Sequence, residues 1–159
     1  MTLEDLQKVH EIDVLSFTLP WSERSFRFEL TGNPSSRLWV AEVQELGGQP
    51  ALAGMIVIWL IVDEAHIGTF AVHPDYRRRG VGRRLLAEAL LNAQAEGAMS
   101  ALLEVRRGNL GAQVLYREFG FEITGVRPGY YRDNNEDALL LTLSNLEPER
   151  QKKLAAVAP

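Results

Sequence analysis

Leu3, Leu6, Val9, Ile12 and Leu15 recur every third residue. That spacing predicts a helix over residues 2–15 with one apolar face. Thr2, followed three residues later by Asp5, is a capping-box start. Phe17 to Pro20 interrupts the pattern, and Ser22 is the predicted N-cap of a second short helix carrying Phe26, Phe28 and Leu30. Residues 31–36 read as a loop by composition. The period then changes to two. Leu38, Val40 and Val43 are apolar while Glu42, Gln44 and Glu45 are polar, which predicts a strand over Leu38–Glu45. A turn at Gly47–Pro50 would join it as a hairpin to the apolar run Ala51–Val62. Asp63-Glu64 is a second turn, and Ala65–Val72 a third strand.

From Val81 the helical period returns: Val81, Leu85, Leu86, Ala89, Leu90 and Ala93 share a face, and Gly97 closes the helix. Ala101–Val105 is a fourth strand. Asn109–Phe119 is a helix with Asn109 as N-cap and Gly120 just past its end. Phe121–Val126 and Ala138–Ser144 are two further strands around a polar loop, 127–137. The segment from Glu147 has helix formers but no convincing apolar face. The expected organisation is therefore one domain over 1–146 and a loosely attached tail over 147–159. The order α-α-β-β-β-α-β-α-β-β is an α/β domain with a mixed sheet.

Composition narrows the chemistry. The 159 residues carry 17 Lys plus Arg against 21 Asp plus Glu, a net charge of −4. A general polyanion binder selects for a basic face, so nucleic acid is not the expected partner. Cysteine is absent, which excludes disulfides, thiolate metal sites and a Cys nucleophile. No metal is expected, because no two of His10, His66 and His73 have ligand spacing. The apolar run Ala51–Val62 is too short for a membrane span, which needs about 20 residues. The acidic, helical start is not a signal peptide. The expected location is cytoplasmic.

The most unusual stretch is Val72-His-Pro-Asp-Tyr-Arg-Arg-Arg-Gly-Val-Gly-Arg-Arg84, between a strand and an amphipathic helix. Gly80 and Gly82 let backbone approach a ligand closely. The first N–H groups of a helix have no intrahelical partner and lie at its positive end, which makes an anion cradle. Arg77, Arg78, Arg79, Arg83 and Arg84 surround it. The pattern points either to a phosphate-bearing ligand or to a solvated basic turn. Dinucleotide and P-loop fingerprints fail, since Leu85 stands where the first needs a small residue and no G-x-x-x-x-G-K-[ST] run exists.

Glu104 is the second anomaly. It interrupts an apolar strand, so it is either an exposed surface carboxylate or a partly desolvated one suited to general-base work. Tyr116, on the 109–119 helix, is either a packed core residue or a proton donor. Tyr130 and Tyr131 are either the wall of a groove or loop packing.

In this order the residues resemble the GNAT superfamily of acetyl-CoA-dependent N-acetyltransferases. R-R-R-G-V-G at 77–82 matches the [QR]-x-x-G-x-[GA] motif at the right strand-to-helix junction. Pro20-Trp-Ser-Glu23, Leu103-Glu-Val-Arg106 with Asn109, Leu115-Tyr-Arg-Glu-Phe-Gly-Phe121 and Gly129-Tyr-Tyr131 are most like the RimI type, the ribosomal-protein-alanine N-acetyltransferases. The resemblance implies a GNAT fold: a mixed, mostly antiparallel sheet flanked by helices. The strand that usually precedes the first helix is missing or truncated here, or the natural start lies upstream of Met1.

The resemblance further implies acetyl-CoA as co-substrate. Phe70, Ala71 and Val72 would pair with its pantetheine arm, the Val72 N–H would serve the oxyanion, and Arg77, Arg78, Arg79, Gly80, Val81, Gly82 and Arg83 would cradle its pyrophosphate. Asn109 would contact it near the pantetheine. Glu104 would be the base and Tyr116 the acid. The implied acceptor is a protein N-terminus, an alanine of a small-subunit ribosomal protein, in a groove between residues 17–30 (Phe17, Leu19, Trp21) and 128–137 (Tyr130, Tyr131). Asp133, Glu136 and Asp137 would attract a basic peptide. A lysine side chain, a small amine, or acyl-CoA binding without turnover are the alternatives.

Overall fold

A computed structural model describes residues 1–45 and 48–156. Leu46 and Gly47, the latter the first residue of the expected hairpin turn, lie outside the described residues, as do 157–159. A 3-10 turn, Leu3–Asp5, leads into α1 (Leu6–Ser16). The Asp5 carboxylate accepts from the Thr2 N–H at 2.6 Å and from its hydroxyl at 3.1 Å. The first turn is thus anchored as the Thr2/Asp5 spacing required. α2 (Glu23–Thr31) starts at Ser22, whose hydroxyl accepts the Ser25 N–H at 3.1 Å.

Six strands follow: β1 (Ser36–Val43), β2 (Ala51–Ile61), β3 (Glu64–Val72), β4 (Ser100–Arg106), β5 (Glu122–Tyr131) and β6 (Glu136–Leu143). They form one sheet in the order β1-β2-β3-β4-β6-β5. All neighbours are antiparallel except β3 and β4. That parallel pair is joined by α3 (Val81–Ala95), as a parallel connection requires. α4 (Leu110–Phe119) links β4 to β5, capped by Asn109 accepting the Ala112 N–H at 3.2 Å and ended by Gly120 at φ 91°. No strand precedes α1 among the described residues. The Met1 ammonium instead donates to the Leu38 carbonyl of β1 at 3.4 Å.

β2 explains why the sequence runs apolar there: Leu52 to Ile58, Gly54 included, are all buried, on both faces. Met55 and Val57 pack with Leu6, Val9, Ile12 and Phe26 of α1 and α2. Ile56 and Ile58 pack on the opposite face with α3 and with Tyr116 and Phe119 of α4. The sheet is thus sandwiched, with α1 and α2 on one side and α3 and α4 on the other.

Two expectations are corrected. Most of the polar loop expected over 127–137 is strand, because β5 runs on to Tyr131 and β6 starts at Glu136. Pro128 and Gly129 read as breakers in sequence. β5 is an edge strand, however, where a missing N–H costs no ladder bond, and the ladder skips from Arg127 to Tyr131. The tail also has structure: α5 (Pro148–Ala156) lies against α3, with Gln151 fully buried.

Candidate functional site

β3 and β4 part company halfway along their length. Their pairing runs from Glu64/Ser100 to Ile67/Leu103 and is not continued among the described residues, although β3 reaches Val72 and β4 reaches Arg106. Gly68 begins the divergence. It is the extra residue of a bulge against β2, since Val57 faces Thr69 and Ile58 faces Ile67. A Cβ on Gly68 would lie 2.8 Å from the Trp59 indole, so no side chain fits there.

The open edge of β3 has a definite polarity. The His73 N–H donates to Ala53 of β2 at 2.8 Å. Successive backbone groups alternate, so Ala71 also turns to β2 while Phe70 and Val72 turn to the gap. The Val72 carbonyl is taken by the Arg77 guanidinium at 2.9 Å. Its N–H remains directed at the gap.

The loop after β3 ends at the start of α3. Gly80 is the N-cap, at φ 75°, a left-handed conformation that favours glycine. Arg78 holds φ 62°. Three of the arginines are engaged with protein. Arg77 also reaches the Ser16 hydroxyl at 3.1 Å, Arg79 lies 5.5 Å over the Tyr76 ring, and Arg83 pairs with Glu118 at 2.7 Å. Among the described residues, Arg78 and Arg84 have no ion-pair partner. Gly82 serves packing: a Cβ there would meet Val72 at 3.3 Å, Phe70 at 3.4 Å and Leu115 at 3.7 Å. It lets α3 approach β3 closely, and its missing side chain faces protein.

Glu104 and Tyr116 reach this gap from opposite faces of the sheet. Ala101, Leu103 and Val105 point into the α3–α4 layer, so Glu104 points to the other side. It is exposed and ion-paired to Arg127 at 3.2 Å. Of the two settings its sequence left open, the solvated one is observed, because this face of β4 is not covered by a helix at its end. Tyr116 is 7% exposed, with its ring 6.4 Å from Phe70 and 5.6 Å from Phe121. Burial pushes its hydroxyl well above the usual tyrosine value, with Tyr131 adding to the effect. Among the described residues no group hydrogen-bonds that hydroxyl. Tyr131, pushed up to about 12 by burial, lies near enough to feel both Glu104 and the Tyr116 hydroxyl. Asn109 is brought to the same end of the sheet as the α4 N-cap.

The expected acceptor residues are only partly on one surface. Phe17, Leu19 and Tyr130 are exposed. Trp21 turns inward, stacked on Trp59 at 6.0 Å and 5.3 Å from Phe26. Trp59 in turn donates to Glu29 at 2.8 Å. The carboxylates expected to attract a basic peptide are already neutralised. Asp133 accepts from Arg106 and Thr18, Glu136 from Arg106, Asn134 and the Gly108 N–H, and Asp137 pairs with Arg107 at 3.2 Å. The Thr18 hydroxyl and Arg106 hold Asp133 below the usual carboxylate range, and Asn134 with the Gly108 N–H does the same for Glu136.

Sequence reasoning missed two of these features. Arg106 was visible only as a letter of a motif, and its partners are 27 or more residues away in the chain. Asp13 lies fully buried in the α1 face, accepting the Trp21 N–H at 2.6 Å and the Thr69 hydroxyl at 3.4 Å. A carboxylate within a helix of otherwise apolar spacing was its one signal.

Residues 6–121 match the Acetyltransferase (GNAT) family. A Bacillus subtilis (strain 168) protein provisionally named ribosomal protein bS18-alanine N-acetyltransferase is 40% identical over 89% of this chain and 90% of its own. The Escherichia coli (strain K12) ribosomal protein bS18-alanine N-acetyltransferase is 33% identical over 87% of this chain and 90% of its own. The crystal structure of the ribosomal-protein-S18-alanine N-acetyltransferase from Escherichia coli superposes with TM-score 0.75 at 30% identity, covering 90% of this chain and 89% of that one. The crystal structure of the NatC complex bound to Gag peptide and CoA has a chain that superposes with TM-score 0.78 at 25% identity, covering 89% of this chain and 91% of that one.

Proposed function

The chain belongs to the acetyltransferase (GNAT) family, and from that premise we propose that it transfers acetyl from acetyl-CoA to the N-terminal α-amine of a protein, an N-terminal alanine of a small-subunit ribosomal protein. The observation that carries the reading is the split between β3 and β4, with the Phe70 and Val72 backbone facing it and the α3 N-terminus at its end.

The residues present fit acetyl-CoA. An open strand edge accepts an extended amide-bearing arm, as a sheet accepts an added strand. Ala71, between Phe70 and Val72, faces β2, so it would shape the edge without bonding to the arm. The N–H groups opening α3 at Val81, Gly82 and Arg83, after Gly80, suit a pyrophosphate. Arg78 supplies a charge there that no carboxylate among the described residues claims. Arg77, Arg79 and Arg83 shape the cradle from their own contacts. Asn109 completes the wall at the pantetheine end.

Acetyl-CoA supplies an activated acyl group. The chain's own residues then do three things. Glu104, on the face shared with Arg106, takes the proton of the incoming amine directly or through a water. The Val72 N–H donates to the acyl oxygen. Tyr116, whose hydroxyl no described group claims, gives its proton to the departing thiolate. With no Cys, the acyl group passes directly between the two substrates. An α-amine, with a pKa near 7.7–8.0, costs about 3 kcal/mol less to neutralise at pH 7 than a lysine near 10.4. A solvated carboxylate base therefore suits the α-amine better. Phe17, Leu19 and Tyr130, the last packed edge-on to Tyr131, offer apolar surface for the acceptor on the side to which Glu104 points. Trp21 packs against Phe26 and Trp59 and is not part of that exposed surface.

The decisive experiment offers acetyl-CoA with three acceptors: an alanine-started peptide with the sequence of a ribosomal protein N-terminus, the same peptide blocked at its N-terminus and bearing lysine, and a polyamine. Release of free thiol is followed. The alanine-started peptide is expected to be preferred by at least about tenfold. Preference for the blocked lysine peptide or the polyamine overturns the acceptor assignment.

A further inference from the structure

Arg106 ends β4 at the mouth of the split and ties together two separate segments, the α1–α2 connection and residues 131–136. Its Nη2 donates to both Asp133 carboxylate oxygens, at 2.9 and 2.8 Å, and to the Thr18 hydroxyl at 3.1 Å. Its Nη1 donates to Asn134 at 3.1 Å and Glu136 at 3.2 Å. The Thr18 hydroxyl closes the ring by donating to Asp133 at 2.6 Å. The guanidinium lies 3.9 Å over the Tyr131 ring.

Thr18 belongs to the segment between α1 and α2. Asp133 and Asn134 belong to the β5–β6 turn. These are the two walls of the proposed acceptor groove, and 115 residues separate Thr18 from Asp133. Both charged partners are largely shielded, at 24% and 19% side-chain exposure for Arg106 and Asp133. A planar five-donor fork that satisfies two carboxylates and a hydroxyl while stacking on an aromatic is a task lysine cannot repeat.

We propose that Arg106, Asp133 and Thr18 form a clasp that holds the two walls of the acceptor groove at a fixed spacing and fixes Tyr131 between them. Arg106 is then a positioning residue for the acceptor, acting through Asp133, Thr18 and Tyr131. The inference rests on the groove assignment made under the proposed function. The clasp is expected to add nothing to acetyl-CoA binding, because none of its contacts involves Phe70, Val72 or the start of α3. Opening the clasp widens the groove, so it weakens acceptor binding and lowers discrimination between a chain terminus and bulkier amines.

The test uses Thr18→Val, Thr18→Ser, Asp133→Asn and the Thr18→Val/Asp133→Asn double variant. Steady-state kinetics are measured on whichever amine the wild-type protein acetylates best, so a wrong acceptor class and a wrong clasp give different results. Thr18→Val and Asp133→Asn are each expected to raise the acceptor KM about tenfold. The KM for acetyl-CoA should stay within about twofold. The double variant should be no worse than about the worse single one, since the three groups act as one unit. Thr18→Ser keeps the hydroxyl and is expected to retain the wild-type acceptor KM. An unchanged acceptor KM in Asp133→Asn overturns the clasp. So do strictly multiplicative effects in the double variant, or an equal rise in both KM values. If the wild-type protein transfers acetyl to no amine, the functional reading and the clasp fall together.

Discussion

Asp13 shows how one buried group can organise a site without touching it. Its carboxylate is fully buried, and burial raises its pKa from 3.8 against the opposing effects of the Trp21 N–H, the Thr69 hydroxyl and His10. A carboxylate whose folded value is raised binds its proton more tightly when folded. Its contribution to stability therefore diminishes as pH rises from the ordinary carboxylate range through the raised value. Asp13→Asn removes that dependence and keeps an acceptor for the Trp21 N–H. The stability of the variant relative to wild type is expected to rise between pH 4 and pH 7 in urea unfolding. A pH-independent difference would mean that Asp13 titrates alike in both states. The two groups proposed for chemistry make separate predictions. Tyr116→Phe should lower kcat by roughly 10²–10⁴-fold with the KM for acetyl-CoA little changed. A wild-type kcat in that variant leaves Tyr116 as a core residue. Glu104→Gln keeps the shape and removes the basicity, so kcat/KM should fall strongly at pH 7 and partly recover at higher pH, where more amine is already neutral. An unaltered pH profile would pass the proton to water.

At the scale of elements, two glycines of similar appearance in sequence separate cleanly. Gly82 is in the first turn of α3, where a Cβ would press on Val72 and Phe70. Gly111 is in the first turn of α4, where a Cβ would meet nothing within 4 Å. Gly111→Ala is expected to stabilise the protein by about 0.5–1 kcal/mol with unchanged kinetics. Gly82→Val is expected to force α3 off β3, lowering both thermal stability and acetyl-CoA affinity. Thermal unfolding with and without acetyl-CoA checks the pair; equal behaviour of the two variants would sink the packing argument. The caps of α2 and α4, the Gly-closed ends and the apolar β2 were legible because local chemistry sets them: Ser22, Asn109 and Gly120 act within three residues of themselves. The two strands of the β5–β6 hairpin were legible but their extension through residues 127–131 and 136–137 was not, because Pro128 is tolerated by the position of β5 at the sheet edge, which is a property of the fold. The solvated setting of Glu104 was open for the same reason: an apolar strand does not say which of its faces a helix leaves uncovered. Arg106 could not be found at all, since its partners come together only when the chain closes.

At the scale of the whole molecule, the sheet is two ladders that meet over only four residue pairs, Glu64/Ser100 to Ile67/Leu103. α1 and α2 lie against one face of β2 and β3, while α3 and α4 cover the other face of both ladders across the join. The split therefore costs little packing, and it leaves backbone groups on β3 without a strand partner. Burial of such groups away from water is unfavourable unless they are paired, so the edge is either hydrated or filled by a ligand. If acetyl-CoA fills it, the change must follow strand alternation. The amides of Phe70 and Val72, which face the gap, and those of Val81, Gly82 and Arg83, which open α3, should exchange with deuterium more slowly when acetyl-CoA is added. The amides of Ala71 and His73 already face β2 and should show little change. Residue-resolved hydrogen exchange with and without acetyl-CoA reads this directly. Protection spread evenly over residues 70–73 would indicate general tightening of the fold. No added protection at Phe70 and Val72 would mean that the arm of the donor lies elsewhere, and the split would lose its place as the seat of the reaction.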